Sequence, residues 1–284
     1  MNYPLLYLEH LSQRDIELLA RTAGISHSAV KLRMLEDPAA FDELLASRSL
    51  FETIFEPSRE LLDPGASTFL AFGVLVGRAV RDLHDVSYVS EWSGPGKRLP
   101  VFDVEPLRQF FEDGVRRYFL IEFLNSFNTV ASGSFVVKTR DGYRRRRFNE
   151  LDPLRLAEMV ELLPPAERPG GYRRLGDVAL FLSGVLPDHT ARHPFPVAER
   201  EQLARSAAIG PTEALVEDEG MRFLETAGAG WYRRAVDEAE AMVGSGPSFL
   251  RVVADRFSDA RRILNYLADR YLFPRELGLI GPPG

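Results

Sequence analysis

The chain contains no cysteine. That absence alone removes thiol nucleophiles, disulfides, thiolate-bound zinc and iron–sulfur clusters from the functions open to it. It also fits a reducing compartment. Long apolar runs are missing as well: the longest, STFLAFGVLVG at 67–77, is roughly half the ~20 residues that a membrane span needs. The opening MNYPLLYLEHLSQRD has no basic stretch running into an apolar core, so no signal peptide is expected. These features together predict a cytoplasmic protein that does not engage a membrane.

Catalytic signatures are equally scarce. There is no Glu-x-x-His or His-Glu-x-x-His pattern for a di-iron or zinc site, and no Gly-x-Ser-x-Gly turn for a nucleophilic serine. SGPGKRLP (93–100) reads as a loop without the preceding strand and third glycine of a nucleotide-binding turn, and TAGAGWYRR (226–234) reads as a connection between helices. No cofactor is expected. His189 and His193 have the spacing of helical metal ligands, but Pro194 pushes His193 out of the helical region, so no metal site is expected there.

What remains is an ordinary globular composition, with 45% apolar and 27% charged residues over 284 positions. That is enough chain for one large domain or two modest ones. The periodicity is helical nearly throughout. Ser12 is placed to cap a helix, Asp37-Pro38 and Asp152-Pro153 open two more, and Ser67 begins a long one in which Gly73 and Gly77 share a face. Val253, Phe257, Ala260, Ile263, Leu264, Leu267 and Tyr271 recur at steps of three and four, which predicts one long final helix from Pro247 to Pro274. The expected architecture is a mostly α multi-helix bundle with a single projecting β-hairpin at about 134–149. PPAERPGG (164–171) offers the best boundary, between a lobe 1–165 that carries the hairpin and a lobe 166–284, unless the two form one continuous domain.

The hairpin is the most distinctive stretch. An extended, β-branched segment runs into Asp141-Gly142, a strong two-residue turn signal, and returns as four arginines. Such a turn pairs Lys138 with Arg145 and Arg140 with Tyr143. Lys138, Arg140, Tyr143, Arg145 and Arg147 then lie on one face, and Arg144 and Arg146 on the other. Six basic residues against Asp141 give this segment +5, and the total of −6 leaves −11 on the rest of the chain. Arginine forks suit phosphate and carboxylate alike. An acidic protein surface and a nucleic acid are therefore both candidate partners for 138–147, against the plainer reading that the arginines pair with this chain's own carboxylates.

Two weaker constellations accompany it. LARTAGISHSAVKLRML (19–35), within a segment 16–35, resembles a helix-turn-helix in letter pattern and offers Ser26, His27, Ser28 and Lys31 to a groove, although Arg33 stands where an inward apolar residue is expected. RDLHDVSYVSEW (81–92) gathers Asp82, His84, Asp85, Ser87 and Glu91, and if helical would pair Ser87 with Glu91 beside His84 as a polar enzyme pocket. Asp177 lies in an apolar helix and needs a cationic partner such as Arg173, Arg174 or Lys97 if buried. The reading that follows is a non-catalytic regulatory or adaptor protein. It binds an anionic partner through the hairpin, with nucleic-acid binding and a helical-bundle enzyme as the alternatives.

Overall fold

The computed structural model describes residues 3–55, 65–129, 131–139, 142–210, 220–244 and 248–273. It is 74% helical, so the mostly α class stands. Its contacts divide the chain into two compact units, Met1–Val89 with Phe102–Asn128, and Ser90–Val101 with Thr129–Gly284. A cut at 165 is not where they separate. Gly171 packs there against Val160, leaving no room for a side chain, so the helices on either side of PPAERPGG belong together.

The first unit is built from α1 (Tyr3–His10), α2 (Gln13–Ala23), α3 (His27–Glu36), α4 (Pro38–Leu45), α5 (Arg48–Phe55), α6 (Thr68–Asp85), α7 (Glu105–Glu112) and α8 (Gly114–Ser126). Ser12 and Asp15 form a reciprocal cap at the start of α2. Asp15 is fully buried, and its other oxygen accepts the backbone N–H of Ser67 at 2.7 Å, which ties the start of α2 to the start of α6. The core holds Tyr7 edge-on to Phe41, Phe69 and Tyr118, with ring centroids 5.2, 5.8 and 5.4 Å away.

The second unit contains the hairpin β1 (Val89–Gly94) with β2 (Lys97–Val101), apart from Val89 itself. It continues with β3 (Ser132–Thr139) and β4 (Gly142–Asn149), then α9 (Pro153–Leu162), α10 (Arg168–Gly184), α11 (Pro187–Arg192), α12 (Val197–Ser206), α13 (Gly220–Val243), α14 (Ser248–Asp255) and α15 (Phe257–Leu267). The β1–β2 pair corrects the expectation of a loop at 93–100. Pro95 followed by Gly96 at φ +71° is the signature of a type II turn. The strands are then fixed by partners far along the chain. Asp188 accepts from Trp92 Nε1 and the Gly96 N–H at 2.8 and 2.9 Å, Arg98 grips Asp269 at 2.5 Å, and Arg262 meets Glu91 at 2.5 Å.

Two helical expectations also shift. TAGAGWYRR lies inside α13, where its glycines let neighbours approach, and does not link two helices. The final helix is interrupted at Arg256 (φ −115°, ψ 31°), so α14 packs on α13 while α15 packs on α10. One straight helix could not serve both neighbours. The predicted stripe from Val253 to Leu267 is nonetheless buried throughout.

α10 and α13 cross closely at Gly176, where an added Cβ would lie 2.5 Å from the Tyr232 ring, itself fully buried. Gly176→Ala is expected to lower stability by about 1–3 kcal/mol through overpacking. Gly170→Ala, in the same helix with nothing within 4 Å of the added carbon, should leave stability unchanged or raise it by up to ~1 kcal/mol. Denaturant unfolding of the two variants checks both outcomes.

Candidate functional site

The basic hairpin forms, with a register that differs from the expected one. Val136 pairs with Arg145, Lys138 with Tyr143 and Thr139 with Gly142. Gly142 is therefore a strand residue, and the segment that joins the strands is Arg140-Asp141, which lies outside the described residues. The base explains the shift. Glu150 donates its N–H to the Ala131 carbonyl at 2.9 Å and accepts the Ala131 N–H on its carboxylate at 2.9 Å. Arg174 of α10 holds the other carboxylate oxygen. The register is thus set from the anchored end. Because the shift is by two positions, the residues expected to share a face still do.

On the face with Arg145, Ser134, Val136 and Arg147 are also described. Arg145 Nε donates to Ser134 Oγ at 2.7 Å. Val136 is 58% exposed, and Arg145 and Arg147 are both exposed. Among the described residues neither arginine has a carboxylate partner. The side chains of Lys138, Tyr143, Arg144 and Arg146 lie outside the described residues, as does Arg140 entirely.

Behind the hairpin, Arg174 reaches inward as well as outward. Its Nη1 stands 3.9 Å from Asp177, which is only 6% exposed and accepts the Tyr232 hydroxyl at 2.7 Å. Of the three cations proposed for Asp177, Arg174 is thus in place. Tyr232, 55 residues away, had no local signal. Burial first, then the Asp177 charge and hydrogen bond, push the Tyr232 phenol well above its ordinary value. Burial and the hydrogen bond to Glu161 do the same for Tyr172.

The helix-turn-helix segment folds as α2 and α3 joined by a tight turn at Gly24, whose φ of +64° and N–H bonds back to α2 form a left-handed helix cap. Val30 and Met34 face inward, so Arg33 has no inward role. Ser26 caps α3 by accepting the Ala29 N–H at 3.1 Å, and its hydroxyl is bonded to that of Ser28 at 2.9 Å. His27 and Lys31 are exposed, but they share the outer surface of α3 with Leu32 (52% exposed) and Leu35.

The polar cluster at 81–92 is not one helix. α6 stops at Asp85 and Glu91 sits on β1, so Ser87 and Glu91 do not share a helical face. His84 and Glu91 fall in different units. Asp82 is held by Arg78 at 2.9 Å and Glu91 by Arg262. His189 and His193 bring their rings to 4.4 Å, with His193 Nδ1 bonded to the His189 carbonyl oxygen at 2.9 Å. His193 is outside the helical region as Pro194 requires. Among the described residues no three acidic or histidine side chains gather as a metal site, and no helix is long and apolar enough to cross a membrane.

A cavity of about 380 Å³ between α9, α12 and α13 is polar, but most of its charges are spent: Arg155 holds Glu158, and Arg234 engages Glu161, Glu238 and the Ser206 carbonyl while stacking 4.0 Å over Tyr172. No family model matches the chain, and neither a curated protein nor a solved structure matches it.

A raised tyrosine pKa in the folded state gives stability that is complete below the unfolded value near 10 and is lost as pH rises through the folded value. The denaturation midpoint is therefore expected to fall as the pH is raised above about 10. Tyr232→Phe should make that fall shallower, and at neutral pH should cost about 1–3 kcal/mol by leaving Asp177 short of a donor. Denaturant titrations across pH, comparing wild type and variant, provide the check.

Proposed function

We propose that this chain is a non-catalytic cytoplasmic regulatory or adaptor protein that engages an anionic partner through the β3–β4 hairpin. The observation that carries this reading is the unspent charge of Arg145 and Arg147. Many arginines elsewhere are committed to the chain's own carboxylates, as in Arg78 with Asp82, Arg98 with Asp269 and Arg262 with Glu91. On the hairpin, Ser134 holds only the Nε of Arg145. Both of its terminal nitrogens remain free to fork onto a carboxylate or phosphate. Val136 beside it adds an exposed apolar contact.

The acidic remainder of the chain shapes the interaction. A remainder of −11 disfavours broad contact with a polyanion away from the hairpin. The partner is therefore met at one small basic surface and is not wrapped around the protein. Nucleic acid and an acidic protein surface satisfy the same arginines, and which polyanion binds distinguishes them. α3 carries no comparable surface, since Leu32 and Leu35 stand among its exposed residues.

Titrations with duplex DNA, single-stranded DNA and polyglutamate at two salt concentrations test the reading. At least one polyanion should bind, and more weakly at the higher salt. If that polyanion is duplex DNA, Arg145→Ala with Arg147→Ala should lower the slope of log affinity against log salt by roughly 2, because each lost phosphate contact removes about 0.9. Lys31→Ala should leave it unchanged. Absence of binding to all three at low salt defeats the proposal.

A further inference from the structure

One edge of the basic hairpin is left open. β3 hydrogen-bonds to β4 and to no other strand among the described residues. The Glu150 N–H bonds the Ala131 carbonyl oxygen, and the antiparallel register runs on from that pair. In such a ladder alternate residues turn their backbone groups toward the partner strand, and those between turn them away. Gly133, Phe135 and Val137 therefore face β4, while Ser132, Ser134 and Val136 turn N–H and C=O outward. Among the described residues nothing pairs with these outward groups. Ser132 and Val136 are also exposed.

Edge strands are ordinarily blunted by charge, proline or a bulge. β4 has its four arginines. On β3, residues 132–137 read SGSFVV, with neither a charge nor a proline. The register pairs residue for residue from Ser132 to Thr139, so there is no bulge either. β3 is the unguarded edge.

Arg145 is delivered to that edge. It belongs to β4, yet its Nε donates to Ser134 Oγ on β3 at 2.7 Å, so the guanidinium has crossed onto the neighbouring strand. A third strand would lie about 4.8 Å beyond β3, within reach of an acidic side chain for that fork. Residues directly opposite in an antiparallel pair share a face. The residue opposite Ser134 then stands beside Arg145, and the one opposite Val136, two positions along, meets an exposed valine. An acidic and an apolar residue two apart fit those places. A second copy of β3 fits badly, because it brings another segment of +5 alongside the first. A nucleic acid satisfies the arginine but has no backbone N–H groups for the outward carbonyls.

We propose that β3 accepts an extended protein segment as a third, antiparallel strand, with an acidic side chain on Arg145 and an apolar one, two residues away, on Val136. This rests on the hairpin being the anion-binding surface, and it makes the partner a protein in extended form. The backbone ladder supplies affinity and the alternating side chains supply selection.

Fluorescence anisotropy of a dye-labelled peptide, Thr-Glu-Thr-Val-Thr-Glu-Thr, titrated with the full chain tests this. Saturable binding is expected. The same peptide N-methylated at every residue keeps its charges and loses its donors, and should bind at least about tenfold more weakly. Arg145→Gln should weaken the unmethylated peptide about tenfold. Val136→Pro removes an outward N–H that the β3–β4 ladder does not use, so it should keep the hairpin and lose the peptide. Its melting curve shows whether the chain still folds, and the methylated peptide needs no variant at all. The proposal is overturned by the absence of saturable binding, by a methylated peptide that binds as tightly, or by an Arg145→Gln variant that behaves like wild type. If duplex DNA binds and the peptide does not, strand addition falls and polyanion binding by the hairpin stands. If neither binds, nor polyglutamate, both readings fall.

Discussion

The hydrogen bond from the Tyr232 hydroxyl to the buried Asp177 carboxylate is the interaction on which the second unit turns. A carboxylate at 6% exposure must be compensated or it drives the chain apart. A neutral phenol from α13 and the Arg174 guanidinium one turn earlier on α10 both contribute to this. The phenol's contact requires α10 and α13 to approach closely, which the missing side chain at Gly176 allows. Arg174 then passes the constraint outward to Glu150, and Glu150 clamps residue 131 to close the hairpin. The orientation of the most basic segment of the chain thus depends on a polar contact in the core.

Charge is distributed by the same economy. Across the described residues, arginines repeatedly neutralise neighbouring carboxylates, and half-buried pairs such as Arg98 with Asp269 and Arg262 with Glu91 also fix the β1–β2 hairpin in place. Exposed pairs of this kind contribute little stability, but they do consume charge. Against that background a cation with no carboxylate partner among the described residues is informative. Arg145 and Arg147 on the hairpin are such cations, and they mark a surface with a capacity for anions. The charge stands on an exposed strand pair and suits an extended partner.

Local features were legible from the letters. Ser12, Asp37, Ser67 and Asp152 cap the helices they precede, because an N-cap is decided within four residues. The alternating apolar stripe from Val253 to Leu267 named its buried residues correctly even though the helix breaks at Arg256. Gly73 and Gly77 marked the face that α4 approaches. The hairpin was found from its turn signal, and parity preserved its faces when the register moved.

Contacts between distant residues were beyond the sequence, for a physical reason. The hairpin register follows from Glu150 being held by Arg174, so an anchored base outweighs the turn preference of Asp141-Gly142. The β1–β2 hairpin was hidden because its stabilising partners, Asp188, Arg262 and Asp269, lie roughly 90 to 170 residues away. Sequence alone determined where helices start and which faces are apolar, since those depend on neighbours a turn apart. Only the tertiary structure decided which charges are spent and which remain free, because an ion pair depends on the meeting of residues that the chain does not place side by side.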